Sequence, residues 1–202
     1  QNHQNNNLQE AQNYYQKVLK LDPNHEAALN NLGTLYKKLG QIQKAKECYE
    51  KAISIHPNNE VTLNNLGTVF KKLGQIQKSK EFYEKAIKIN PNYAAAHHNL
   101  GAIFVELKDY QKAKSYYENA IEIDPSHAVA LNNLGAIYLD LGEHQKAKDY
   151  FEKVIEINSD HLGANNNLGV IYLDLGEYQK AKDCFEKVIE INSDHLGANN
   201  NL

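Results

Sequence analysis

The chain repeats itself every 34 residues, and the period never slips. Leu32-Gly33, Leu66-Gly67, Leu100-Gly101, Leu134-Gly135 and Leu168-Gly169 mark it. After each glycine come an aromatic (Tyr36, Phe70, Phe104, Tyr138, Tyr172), a small residue (Ala45, Ser79, Ala113, Ala147, Ala181) and a second aromatic (Tyr49, Tyr83, Tyr117, Phe151, Phe185). Ala52, Ala86, Ala120, Val154 and Val188 follow. Pro23, Pro57, Pro91 and Pro125 close the first units, and Ser159 and Ser193 take that place in the last two. A short exact period excludes an ordinary globular core and demands units that bury their apolar faces against their neighbours.

Within one unit Leu32, Leu35, Tyr36 and Leu39 recur at steps of three and four, which places them on one stripe of a helix. Ala45, Tyr49, Ala52 and Ile53 form a second stripe. Between them Leu39-Gly40-Gln41 offers a glycine that can adopt the left-handed conformation ending a helix. Asp22-Pro23-Asn24 and its later versions stop the second helix, because proline lacks the amide donor and its ring clashes with the preceding turn. The pattern predicts an all-α chain of paired helices. Its divisions are a partial unit at 1–25, units at 26–59, 60–93, 94–127, 128–161 and 162–195, and the start of another at 196–202.

The motifs resemble the tetratricopeptide repeat, whose pattern is W-x2-L-G-x2-Y, then A-x3-F, then P over 34 residues. The family's leading tryptophan is replaced here by Leu29, Leu63, His97, Leu131 and Asn165. The resemblance implies an α-solenoid wound as a right-handed superhelix, with first helices lining the inner face and second helices outside. It also implies a scaffold that binds protein partners. Residues 193–202 repeat 159–168 letter for letter, so the array is expected to continue, and head-to-tail stacking of copies is expected through the incomplete terminal units.

On the inward side, Asn31, Asn65, Asn99, Asn133 and Asn167 stand immediately before the core leucine of every unit. Asparagine is a mediocre helix former because its amide competes for backbone hydrogen bonds. An amide carries two donors and an acceptor, so a row of them can hold the main chain of an extended peptide while ignoring its side chains. The same amides would equally serve as bonds between neighbouring helices. Beside them lie Asn30, Asn64, His98, Asn132 and Asn166, and one turn on the small Thr34, Thr68, Ala102, Ala136 and Val170. The first helices end in Lys37-Lys38 and Lys71-Lys72 early, but in Val105-Glu106, Leu139-Asp140 and Leu173-Asp174 later. Lys38, Lys72, Glu106, Asp140 and Asp174 thus predict a polarised surface that fixes the direction of a charged guest.

Some family members grip a C-terminal carboxylate with a cation one turn before the asparagine, but Ala27, Val61, Ala95, Val129 and Gly163 stand there. The unbroken asparagine row is instead similar to the arm of O-GlcNAc transferases, which implies an alternative role as the substrate-recruiting part of a larger enzyme.

Catalysis has no candidate residue. His25, His127, His161 and His195 recur at multiples of the period, held apart by the stacking, and read as surface or helix-entry residues rather than metal ligands. No phosphate-cradling glycine loop, G-x-S-x-G or H-E-x-x-H occurs. No cofactor is expected. A net charge of −3 without arginine argues against nucleic acid, and no apolar run approaches a membrane span. The absence of a signal-like leader in the sequence at hand reads as a cytoplasmic or nuclear chain. Cys48 and Cys184, in equivalent slots four periods apart, read as reduced packing residues. The Lys-Ala-Lys runs of the second helices read as a solvated face.

Overall fold

The computed structural model describes residues 2–192, with side chains from residue 7 onward. Among the described residues the secondary structure is helical throughout: α1 (Asn2–Leu21), α2 (Glu26–Lys38), α3 (Ile42–Ile55), α4 (Glu60–Lys72), α5 (Ile76–Ile89), α6 (Ala94–Glu106), α7 (Tyr110–Ile123), α8 (Ala128–Asp140), α9 (His144–Ile157), α10 (Leu162–Asp174) and α11 (Tyr178–Ile191). Two compact units divide within α6, between Ile103 and Phe104. In the first unit α2 packs on α3 and α4 on α5, while α1 rests on α2 and α3 on α4. In the second, α8 packs on α9 and α10 on α11, with α7 against α8 and α9 against α10. No described helix is long and apolar enough to cross a membrane.

Each first helix ends in the same hydrogen-bonded turn. Gly40 N–H donates to the Lys37 carbonyl (3.2 Å) and Gln41 N–H to the Tyr36 carbonyl (2.8 Å), the paired bonds of a Schellman motif. The motif needs a left-handed residue, and Gly40 supplies it at φ 72°. The turn after α6 makes the same two bonds, Lys108 N–H to Val105 and Asp109 N–H to Phe104, with Lys108 at φ 59°. A side chain in that region costs roughly 1–2 kcal/mol. Lys108→Gly is therefore expected to raise the urea midpoint, by a gain of about 1 kcal/mol after the extra unfolded-state entropy of glycine is deducted. An unchanged or lower midpoint would contradict the strain.

Four of the first helices, α2, α4, α8 and α10, begin on side-chain caps. His25, His127 and His161 accept from the amides of Ala28, Ala130 and Ala164 through Nδ1 at 3.2, 3.3 and 3.1 Å, and Asn59 does the same for Thr62 at 2.9 Å. Imidazole here replaces the usual Asx or Ser cap and satisfies one of the unpaired amides of a helix start. The periodic histidines expected at the surface or at helix entries are thus caps at three of those entries. His195 lies outside the described residues.

The core is built from the two sequence stripes. Tyr49, Ala45 and Ala52 are fully enclosed, and Leu32, Leu35, Tyr36, Leu66, Val69 and Phe70 join Ala45 and Tyr49 in one cluster with Cys48 at its edge. Each large side chain buried this way contributes roughly 1.5–3 kcal/mol. Two of the substituted tryptophan slots are buried and polar. His97 Nε2 sits 2.9 Å from the Pro91 carbonyl, and Asn165 donates to the carbonyls of Ser159 and His161 at 2.9 and 3.1 Å. Both tie a helix to the loop that precedes it, which an indole could not do in the same way.

Candidate functional site

The asparagines that precede each core leucine lie on the accessible side of the first helices. Asn31 is exposed, and Asn65, Asn99, Asn133 and Asn167 are half-buried. Three of them have partners within their own unit. Asn65 Oδ1 accepts from Lys37 Nζ at 2.8 Å, bridging α4 and α2. Asn99 Nδ2 donates to Asn64 Oδ1 at 2.8 Å, bridging α6 and α4. Asn133 Nδ2 donates to the Tyr117 hydroxyl at 3.4 Å, a long contact. The amides thus bond between neighbouring helices, yet each bond uses one end of the group: Asn65 spends its acceptor and Asn99 one donor. A cavity of about 220 Å³ beside Asn31 is lined by Tyr14, Tyr15, Val18, His25, Ala27 and Ala28.

The adjoining row is bound more deeply into the scaffold. Asn30 donates to Glu26 (2.8 Å) and accepts from the Thr62 hydroxyl (2.8 Å), and Glu26 also accepts from Asn59 (2.7 Å). Asn64 is buried at 7% exposure. His98 is half-buried and has a partner of its own. In the second unit Asn132 and Asn166 are half-buried, with their Oδ1 atoms enclosed and without a hydrogen-bond partner. Alanine 164 stands where Thr62 serves Asn30, so the donor that satisfies the early amide is missing from the late one.

The small residues one turn on are coupled to the second helices. Thr34 Oγ1 lies 2.9 Å from the Tyr49 hydroxyl, and the Tyr83 hydroxyl donates to Thr68 Oγ1 at 3.2 Å. Burial pushes the Tyr49 phenol up to about 12. In the last two units alanine 136 and valine 170 accompany Phe151 and Phe185, so the hydroxyls disappear together.

Charge follows the sequence. Lys38 and Lys72 are exposed at the ends of α2 and α4; Glu106, Asp140 and Asp174 are exposed at the ends of α6, α8 and α10. Asp174 lies 3.8 Å from His144 Nδ1. Lys37 is half-buried, and burial first, then the charge of Lys72, hold its pKa below the ordinary lysine value.

Two features escaped the sequence reading. Val61 and Val129, one turn before Asn65 and Asn133, are 45% and 50% exposed, so apolar patches lie beside the amides. Their position was legible only as the lack of a cation. The Lys-Ala-Lys lysines, expected to be simply solvated, lie over aromatic rings. Lys46 and Lys78 both cover Phe70 at 5.8 and 5.4 Å, Lys114 and Lys146 cover Tyr138 at 5.1 Å, and Lys148 and Lys180 cover Tyr172 at 5.4 and 5.3 Å. Such contacts stabilise by roughly 0.5–1 kcal/mol each at exposed sites. The covered rings are themselves stacked in three units, as Phe70 on Phe82, Phe104 on Tyr116 and Tyr138 on Tyr150.

Paired helices packed on one another, with amides and apolar residues on the first-helix face, define a helical repeat protein. The chain belongs to the tetratricopeptide repeat family: models of that repeat match residues 2–25, 26–59, 61–126, 92–160 and 164–195. A search of curated proteins returns no match. Among solved structures the chain is similar to MamA, with 28% identity and a TM-score of 0.67 over 80% of this chain and 95% of that one. It is similar in fold to YrrB, described as a tetratricopeptide repeat protein with an unusual peptide-binding site, with 22% identity and a TM-score of 0.66 over 92% and 96%. It is also similar in fold to pilF of Pseudomonas aeruginosa, with 23% identity and a TM-score of 0.80 over 86% and 79%.

Proposed function

We propose that the chain is a non-catalytic scaffold that holds an extended segment of a partner protein along its first helices, main chain against the asparagine row. The observation that carries this reading is the accessible amide at the same register of α2, α4, α6, α8 and α10, with hydrogen-bonding capacity left over at Asn65 and Asn99. Side-chain preference comes from the flanks: the exposed Val61 and Val129 favour apolar guest residues, and the helix-end charges select among charged ones. That YrrB is described as having a peptide-binding site supports the reading.

The test is a peptide-array screen of the native chain against an Asn31→Ala, Asn65→Ala, Asn99→Ala variant, all within the first unit. Three lost hydrogen bonds of about 1 kcal/mol each predict at least a tenfold weaker capture. Circular dichroism should show unchanged helicity. Identical capture by the variant would reject the amide row as the site.

A further inference from the structure

We propose that the cavity between the α3–α4 loop and the last turn of α5 is a binding site for a small amphipathic carboxylate, an acid group carried on a compact apolar body. The site stands apart from the peptide-binding reading, since none of its walls belongs to the asparagine row or its flanks. The cavity measures about 480 Å³ and is lined by Pro57, Asn58, Leu63, Lys85, Lys88 and Ile89. Leu63 is 3% exposed and packs with Ala86 and Ala96, so the apolar lining runs from the core outward to Ile89, which is 38% exposed. Small-molecule sites span roughly 300–1,000 Å³, whereas a folded partner needs a far wider contact than six residues provide.

Two lysines give the cavity its charge. Lys85 and Lys88 stand three residues apart near the end of α5, a spacing that makes side chains neighbours on a helix. Neither meets a carboxylate among the described residues; Lys85 lies over the Phe82 ring at 5.3 Å. A helix dipole favours a cation at its C-terminal end. The fold does not demand one at Lys88, however, because the equivalent positions are Ser54, Glu122, Glu156 and Glu190. The helix pair α10 and α11 shows what a carboxylate does at this place. There Asp160 occupies the position of Asn58 and pairs at 3.0 Å with Lys187, the counterpart of Lys85. Asn165 occupies the position of Leu63 and is tied to the carbonyls of Ser159 and His161, so bonds within the chain replace the apolar lining. Around α4 and α5 the chain supplies no such anion: Asn58 is neutral, Leu63 is apolar, and Lys88 adds a second ammonium. A guest carboxylate bridging both lysines gains two charge-assisted bonds while its apolar body covers Pro57, Leu63 and Ile89.

The experiment titrates the ¹⁵N-labelled chain with 4-phenylbutyrate and, separately, with its neutral amide, 4-phenylbutyramide. The acid should bind about tenfold more tightly than the amide, with the largest shifts at the backbone amides of Asn58, Leu63, Lys88 and Ile89 and with the preference fading as salt is raised. Lys85→Gln with Lys88→Gln should abolish the preference at unchanged helicity. Asn58→Asp should give Lys85 the internal partner that Asp160 gives Lys187, weakening the acid severalfold and leaving the amide unaffected. A preference that survives the double variant, an affinity for the acid unchanged by Asn58→Asp, shifts centred elsewhere, or no binding by about 10 mM would each overturn the site while leaving the asparagine row untouched. Tighter binding of acetyl-Gly-Gly-Phe with a free C-terminus would identify the occupant as a protein terminus and would also overturn the small-molecule assignment.

Discussion

Gly67→Ala should destabilise the chain by up to about 2 kcal/mol net, against the usual expectation for a helical glycine. Alanine normally gains roughly 1 kcal/mol over glycine inside a helix. At this position an added Cβ would lie 2.5 Å from Tyr83 Cε1 and 2.7 Å from Cδ1. The ring cannot swing aside. Tyr83 is 1% exposed, and its hydroxyl is tied to Thr68 on the same helix as Gly67. Overpacking of a filled core costs roughly 1–3 kcal/mol, which outweighs the helix gain. Gly163 is the control. A Cβ there meets nothing nearer than 3.5 Å, so Gly163→Ala should be neutral or stabilising by several tenths of a kcal/mol. Urea denaturation of the two variants should shift the midpoint in opposite directions or leave Gly163→Ala unshifted. Equal losses at both sites would mean that the approach of α4 to α5 does not set the requirement for glycine.

The second large effect concerns the thiols. Cys48 and Cys184 should alkylate with iodoacetamide about a hundredfold more slowly at pH 8 than an ordinary exposed cysteine, since the thiolate is the reacting form. Burial, and then the neighbouring Glu47 or Asp183, push both thiols up to about 11 from the ordinary value of 9.0, with Lys51 partly offsetting the shift at Cys48. The two cysteines occupy the register that carries Phe82, Tyr116 and Tyr150 in the middle units, where a ring stacks on the first-helix aromatic. A thiol in an aromatic's slot is surrounded by apolar walls. Because the folded state holds the proton more tightly, this stabilising contribution is complete below about pH 9 and fades as the pH rises through 11. Rapid labelling at pH 8, at the rate of the urea-unfolded chain, would overturn the assignment.

Much of this architecture was legible from the sequence because the period forces equivalent residues into equivalent places. The stripe Leu32, Leu35 and Tyr36 and the enclosed Ala45 and Tyr49 follow from helical spacing and from the need to bury a face. The left-handed Gly40 follows from its place after the stripe. Position in the period could not reveal direction. Nothing in the spacing says that Asn65 turns its acceptor to Lys37, or that Asn99 turns its donor to Asn64, because those choices depend on side-chain torsions across two helices. The outer lysines misled for a related reason. Their spacing to glutamate is correct for exposed ion pairs, yet their long stems also reach rings that belong to another helix.

The tyrosine hydroxyls bonded to Thr34 and Thr68 have a consequence for how such an array tolerates exchange of parts. Each early pair is a matched lock: a first helix bringing a hydroxyl and a second helix bringing the phenol to meet it. The last two pairs are matched without either group. Splicing an early first helix onto a late second helix would set a threonine hydroxyl against a phenylalanine, and the reverse splice would set a phenol against alanine or valine, with loss of one hydrogen bond of about 1 kcal/mol at each junction, because Thr68 keeps its bond to the Asn64 carbonyl and a phenol beside alanine can be met by a neighbouring amide, as Tyr117 is by Asn133. Chimeras joined in the loops between pairs escape this penalty, so the two-helix module, rather than the single helix, is the unit that can be transplanted.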